Sequence, residues 1–207
     1  MGVDLSQLFN ALTGFSNVTD YEDLLVAPVT LRREMVAMID RETEHARAGR
    51  PTGIRAKLNA ITDGALVRAL YRASQAGVPI DLMVRGMCVL RPGVPGVSET
   101  IRVHSLVGRF LEHSRIYVFE NGGEPEAYLS SADWMGRNLD RRVEIGFPVL
   151  DKTVAQYLRT QILAVLLADN VKSRDLLTDG SYRRRIAGPD QLPVDAQRFF
   201  LAQAETA

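Results

Sequence analysis

The chain has 207 residues, of which 46% are hydrophobic and 24% are charged. These proportions are ordinary for a folded globular protein and argue against a disordered or collagen-like chain. The 25 basic residues balance the 25 acidic ones, so the composition does not indicate a polybasic protein and we expect no nucleic-acid partner. No apolar run of about 20 residues occurs, so we expect no transmembrane segment.

The first part of the chain is predicted to be helical. Apolar residues recur at helical spacing over residues 4–12 and, after a loop that reaches Pro28, along an amphipathic segment that starts at Leu31 and ends near Gly49. His45 falls on the polar side of this second helix, where we expect a solvated side chain. We interpret residues 1–50 as a helical lead-in from a preceding domain.

The next part alternates strand and helix. Residues 53–59 and 78–86 are predicted strands, and the helix between them starts after Asp63, so the three elements form a parallel βαβ unit. Lys57 ends the first strand and Arg85 the second. Because ligands bind beyond the carboxyl ends of such strands, both are candidate site residues. An exposed loop arginine is the alternative interpretation of Arg85.

The second half of the chain is predicted to add a hairpin, a further strand and a long helix. The strands are expected at 115–120, 127–130 and 142–149, and the helix at 154–167. Residues 103–112 fit a helix and a strand equally well. We assign residues 51–175 to one α/β domain and residues 176–207 to a tail that has an arginine run at 183–185 and a short helix from Asp195.

His113 is the strongest candidate among the three histidines of the chain. It lies just before a predicted strand, two residues ahead of Arg115, and the hairpin should bring the Ser-Ser-Ala-Asp turn at 130–133 alongside. Histidine transfers protons near neutral pH, and arginine and hydroxyl groups stabilise negative charge on phosphoryl oxygens. A structural histidine at a strand end is the alternative.

Several long runs of the sequence are similar to the C-terminal region of bacterial polyphosphate kinases of the long, ATP-using type. The similar runs lie at 54–59, 78–88, 109–123 and 128–144, and include Val-Arg-Gly-Met-Cys at 84–88 and Tyr-Leu-Ser-Ser-Ala-Asp-Trp-Met at 128–135. The resemblance extends from about Leu5 to about Arg174. It is weakest in the tail after Asp175.

The resemblance implies a phospholipase-D-like α/β fold, in which a mixed sheet is flanked by helices and this chain is the second of two similar halves. It also implies an activity that moves the γ-phosphate of ATP onto a histidine and then, reversibly, onto inorganic polyphosphate. The family's phospho-accepting histidine and metal-binding arginines match positions upstream of Met1. The resemblance therefore predicts that this chain is inactive alone.

Three residues of this chain match ATP- or phosphate-contacting positions of the family. They are Arg85, His113, which would also be catalytic, and Arg142. The resemblance further implies ATP or ADP and polyphosphate as partners, Mg²⁺ held by ligands outside this chain, and a homo-oligomer for the complete enzyme. It implies a cytoplasmic location, with peripheral membrane association as an alternative.

Two other classes of function stay open. A phosphodiesterase of the phospholipase-D type would want lysine where Arg115 stands and a second histidine motif, and the sequence shows neither. A non-catalytic module that binds phosphate or another protein is the second alternative.

Overall fold

The structure is a computed structural model that describes residues 1–15 and 20–206. Its helices are α1 (Gly2–Leu12), α2 (Leu31–Arg47), α3 (Gly64–Gln75), α4 (Gly136–Arg141), α5 (Lys152–Tyr157), α6 (Ala164–Ala168) and α7 (Ala196–Glu205). A π-helical segment, Leu158–Leu163, joins α5 to α6. The strands are β1 (Leu25–Ala27), β2 (Ile54–Leu58), β3 (Ile80–Val84), β4 (Ile101–Leu106), β5 (Arg115–Phe119), β6 (Glu126–Ser130), β7 (Glu144–Pro148), β8 (Ser173–Leu176) and β9 (Tyr182–Arg184).

All nine strands lie in one mixed sheet, in the order β1-β7-β6-β5-β2-β3-β4-β8-β9. The central strands β2, β3 and β4 are parallel, which confirms the predicted βαβ unit, and the other pairs are antiparallel. In this register β2, β3 and β4 end at the edge where β5 and β8 begin. We call it the carboxyl edge. The predicted fold class, a mixed sheet flanked by helices, is confirmed.

Both faces of the sheet are covered, because alternate strand residues point to opposite sides. On one face, residues such as Leu58 and Val84 pack with α2 and α3 in the main core. On the other face, Met83 and Leu106 pack with α6 and α7. No helix in the described residues is long and apolar enough to cross a bilayer.

Three short strands were not predicted. β1 lies in the expected loop before Pro28. β8 lies at the start of the part assigned to a tail with a short helix, and β9 lies within that part. Each has only three or four residues, and β8 and β9 are mostly polar. Such short segments cannot show the alternation of apolar and polar residues that identifies a strand in a sequence. They form because the sheet offers them a hydrogen-bonding partner.

Two titratable residues of α2, Glu42 and His45, are buried. The Glu42 carboxylate accepts hydrogen bonds from the backbone N–H of Gly53 (2.9 Å) and of Asn121 (2.6 Å). His45, expected to be solvated, is only 8% exposed, and its Nε2 lies 3.4 Å from Asn121 Oδ1. The β5–β6 turn folds over this end of α2 and covers both side chains, a contact that helical periodicity cannot show.

Candidate functional site

The carboxyl edge of the sheet gathers most of the predicted site residues. Lys57 lies near the end of β2, Arg85 follows β3, and Arg115 begins β5. Register explains the convergence, since Lys57 is level with Met83 on β3 and with Ile116 on β5. Three cations far apart in sequence therefore meet at one place.

The Arg85 side chain is half-buried and has one hydrogen-bond partner among the described residues. Its Nη1 donates to the backbone carbonyl of Glu112, at 3.1 Å, which joins the end of β3 to the loop that carries His113. In the part of the chain that the structure describes, no carboxylate forms an ion pair with Arg85. The guanidinium thus keeps uncommitted N–H groups, which suit an anion with several oxygens.

Lys57 is only 5% exposed and is fully engaged by the same loop. Its Nζ donates to Ser114 Oγ (2.8 Å) and lies 3.5 Å from Glu112 Oε2. Burial lowers the pKa of Lys57, the charges of Arg85 and Arg115 lower it further, and Glu112 opposes them. Lys57 therefore adds positive charge behind the edge and holds the loop, and it is not free to reach a ligand.

Arg115 and Asp133 form a two-point ion pair that joins β5 to the turn after β6. Arg115 Nη2 lies 3.0 Å from Asp133 Oδ2, and Nε lies 3.3 Å from Oδ1. Burial alone would raise the pKa of Asp133, but the donors of Arg115 and the backbone N–H of Asn59 hold it below its usual range. The expected approach of the Ser-Ser-Ala-Asp turn to Arg115 is confirmed.

The Asn59 side chain adds to this arrangement. Its amide orientation is assigned from the surrounding donors and acceptors. With the nitrogen 3.0 Å from the Glu112 carbonyl, the amide oxygen lies 3.1 Å from Arg115 Nη2. Asn59 thus connects Arg115 to the loop before β5 on a second side.

His113 is exposed at the tip of this network. Its backbone carbonyl accepts a hydrogen bond from Arg115 Nη1 at 2.9 Å, and Arg85 holds the carbonyl of the preceding residue, Glu112. The backbone of His113 is therefore fixed from two strands while its imidazole faces solvent. A proton donor or acceptor for a bound ligand needs this combination.

Gln197 also holds this loop, and sequence reasoning missed it. This buried residue of α7 accepts from the Phe110 N–H (3.0 Å) and donates to the Phe110 carbonyl (2.8 Å) and to Glu112 Oε1 (2.9 Å). A Cβ at Gly108 would lie 2.3 Å from Gln197 Oε1, so a larger residue there would displace the Gln197 amide from the loop. A lone glutamine 84 residues after His113 gives no sequence signal.

Arg142 lies at the same edge but is not brought into contact with Arg85 or His113. It precedes β7, its side chain is 53% exposed, and its Nη1 lies 3.7 Å from Glu144 Oε1. Glu144 is itself held by Asn138 (2.7 Å) and Ser131 (2.5 Å). Arg142 is thus an exposed cation beside the turn that contains Asp133.

The described residues do not fit a metal centre. Within the ranges 1–15 and 20–206, no group of three or more His, Cys, Asp or Glu side chains converges as ligands. Asp133 and Glu144 are committed to Arg115, Asn138 and Ser131.

The sheet order and the charged carboxyl edge define a phospholipase-D-like α/β domain. A solved phospholipase D family member, Nuc from Salmonella typhimurium, has this fold: the TM-score is 0.51 at 15% identity, over 74% of this chain and 96% of that one. A family model, described as polyphosphate kinase C-terminal domain 2, matches residues 24–197. The chain belongs to that family, as its sequence predicted.

Similar proteins include polyphosphate kinases from several bacteria. The one from Thermosynechococcus vestitus is 57% identical over 203 residues, which cover 98% of this chain and 28% of the relative. The one from Pseudomonas aeruginosa is 52% identical over 96% of this chain and 29% of its own length. The crystal structure of polyphosphate kinase from Porphyromonas gingivalis has a TM-score of 0.90 at 39% identity, over 99% of this chain and 32% of that one. This chain therefore spans less than a third of the relatives it matches.

Proposed function

We propose that this chain supplies one half of the active site of a polyphosphate kinase. In the complete reaction, the γ-phosphate of ATP passes to a histidine nitrogen as ADP leaves. The terminal oxygen of a polyphosphate chain then takes the phosphoryl group from that histidine, and both steps are reversible. The accepting histidine belongs to the other half of the site, as the family resemblance implies.

Three residues of this chain contact the phosphate groups directly in this proposal. Arg85 and Arg142 bind phosphate oxygens, and His113 exchanges a proton with the phosphoryl group in transit. Lys57 and Arg115 contribute positive charge and hold the loop that carries His113. Arg85 adds a positive charge that no carboxylate of the described residues pairs with, since Glu112 and Asp133 pair with Lys57 and Arg115.

The observation that carries the proposal is the state of Arg85. A half-buried guanidinium normally finds a carboxylate, yet among the described residues Arg85 donates only to the Glu112 carbonyl. It lies beside the exposed His113 at the end of a parallel strand, where ligands of open α/β sheets bind. A phosphate group would complete its hydrogen bonds.

Binding of ATP to the 207-residue chain tests this proposal. Titration calorimetry should show ATP binding that Arg85→Ala weakens about ten- to a hundredfold, the value of one charge-assisted contact. Arg85→Lys should recover part of the affinity, since an ammonium lacks the two-pronged geometry. Arg50→Ala, an exposed residue before β2 at the opposite edge of the sheet, is the matched control. Equal ATP affinity in Arg85→Ala and the native chain would overturn the proposal.

An assay on the same protein distinguishes the kinase proposal from the alternative activity, phosphodiester hydrolysis. A phosphodiesterase of the phospholipase-D type would have lysine at the position of Arg115. In this chain Asp133 holds Arg115 by two contacts. The chain should not cleave bis(p-nitrophenyl) phosphate. Cleavage that His113→Ala abolishes would replace the kinase proposal with the phosphodiesterase one.

A further inference from the structure

The β8–β9 hairpin carries a concentration of positive charge that the candidate site does not use. Its exposed cations are Lys172, Arg174, Arg183 and Arg184. Asp175 lies among them, but its carboxylate is taken by His104 (2.7 Å) and Arg185 (3.6 Å). Over the residues that the structure describes, the four exposed cations have no ion-pair partner. The hairpin thus presents uncompensated charge.

Two of these cations directly oppose each other. Arg174 on β8 is the cross-strand partner of Arg184 on β9, so their side chains leave the same face of the hairpin. Like charges in directly opposed positions destabilise a strand pair. Arg184 Nη2 donates to the Val171 carbonyl at 3.1 Å, but among the described residues no carboxylate pairs with either arginine. A bound polyanion between the two guanidinium groups would offset the repulsion.

A groove accompanies the charges. It has a volume of about 580 Å³ and runs along β9, between the arginines and the loop that follows. Hydrogen-bond donors line it, from Asn170, Arg183, Arg184, Arg185 and Gln191. The one carboxylate in the lining, that of Asp175, is held by His104 and Arg185. Its concave shape suits a flexible chain of acceptor groups better than a flat surface of headgroups.

The groove lies at the same edge of the sheet as Arg85. His104 on β4 pairs with Met83 on β3, so Leu106, two residues further on, is level with Arg85. Leu106 in turn pairs with Ser173 on β8, and the Ser173 carbonyl accepts a hydrogen bond from the Arg185 N–H at the end of β9. Arg85 and the end of β9 are therefore level and separated by three strand spacings of about 4.8 Å, or roughly 14 Å. This distance is short enough for one extended polyanion to contact both.

We propose that the β8–β9 hairpin binds inorganic polyphosphate outside the reacting positions, and so retains a chain whose end lies near Arg85. The proposal rests on the proposed function for its choice of polyanion. Tyr182 is the only aromatic residue of the hairpin, so a stacking platform of the kind that holds nucleic-acid bases is lacking. A chain of phosphates needs only the charges and donors that are present.

Affinity measurements on the 207-residue chain test the proposal, with tripolyphosphate, long-chain polyphosphate and ATP as ligands. R183Q/R184Q should weaken long-chain binding at least about tenfold at low salt, because counterion release sets the affinity of such polyanions. The slope of log K against log salt should fall by about 0.7 for each arginine removed. Tripolyphosphate and ATP should bind as before. R50Q/R68Q removes the same charge elsewhere and should change none of these values.

A second variant separates binding from folding. R174Q removes one member of the opposed pair, so it should weaken long-chain binding without lowering the melting temperature. Arg185 stays unchanged in every variant, because its Nη1 holds the Leu167 and Asp169 carbonyls.

Five results would overturn the inference, and the last of them would overturn the proposed function as well. The first is an equal loss of affinity in R183Q/R184Q and R50Q/R68Q. The second and third are equally tight, arginine-dependent binding of a single-stranded RNA or of phosphatidylserine vesicles, which would assign the hairpin to another partner. The fourth is ATP binding that depends on Arg85 together with no binding of long-chain polyphosphate, which leaves the proposed function standing. If neither ligand binds, both proposals fail.

Discussion

Arg115 and Asp133 are 18 residues apart in sequence, and the β5–β6 hairpin brings them together in a two-point ion pair with contacts of 3.0 and 3.3 Å. The pair joins the start of β5 to the turn after β6. Asp133 also accepts the backbone N–H of Asn59 at 2.7 Å, which joins the end of β2 to the same point. These contacts join β2, β5 and β6 next to His113, whose carbonyl accepts a hydrogen bond from Arg115.

Asp133→Ala should therefore destabilise the domain strongly. It leaves the mostly buried Arg115 charge without its partner and the Asn59 N–H without an acceptor, a loss of about 3 kcal/mol in the free energy of unfolding. Urea unfolding measures the loss. Asp140→Ala breaks the exposed pair with Arg32 and should have a much smaller effect. Similar values for the two variants would show that the Arg115–Asp133 pair is not a main structural contact.

His113→Ala should impair catalysis and leave the fold intact. The test uses a complete polyphosphate kinase that contains this domain. General acid–base help is worth about 10²–10⁴-fold, so turnover should fall by at least about a hundredfold. The melting temperature should stay constant, because the His113 side chain is exposed. A lower melting temperature with nearly intact turnover would make His113 a structural residue.

The 207-residue chain should not form a phosphoenzyme by itself. A two-step transfer needs a nucleophile that holds the phosphoryl group covalently, and in the proposed function that histidine belongs to the other half of the active site. Incubation with γ-labelled ATP should leave the protein unlabelled. Acid-labile label on this chain would contradict the division of the active site between two halves.

Gln197→Ala should loosen the His113 loop. The substitution removes three hydrogen bonds, two to Phe110 and one to Glu112. Amide hydrogen exchange at 108–113 should accelerate, while exchange in β2 and β3 stays slow. Gln203→Ala, on the exposed part of the same helix, is the control. Unchanged exchange at 108–113 would show that other contacts hold the loop.

His104 should make the protein less stable in mild acid. Burial lowers the pKa of His104 below its usual 6.5, the charge of Arg185 lowers it further, and the contact with Asp175 opposes both. Just below pH 6.5 the unfolded chain takes up a proton at this residue before the folded chain does. The free energy of unfolding therefore falls as the pH falls through this window.

His104→Gln should flatten that dependence. Urea unfolding at pH 7 and at about pH 5.5 would show a smaller difference in stability for the variant than for the native chain. The same difference in both proteins would show that His104 does not set the acid sensitivity.

The sequence by itself determined the central elements and the family. The regular spacing of apolar residues predicted α2, α3, β2, β3 and the β5–β6 hairpin, because helical and strand periodicity are local properties of the sequence. The family followed from long, distinctive runs such as residues 84–88. Arg85 and His113 were selected as site candidates on the same two grounds.

Only the tertiary structure decided which polar residues meet. Glu42 and His45 look solvated on a helix diagram and are buried, because a turn 76 residues after His45 folds over them. Gln197, which no sequence pattern indicated, holds the His113 loop, and Arg142, which the resemblance grouped with Arg85 and His113, contacts neither. Hydrogen bonds between distant segments depend on sheet order and register, which no local pattern encodes.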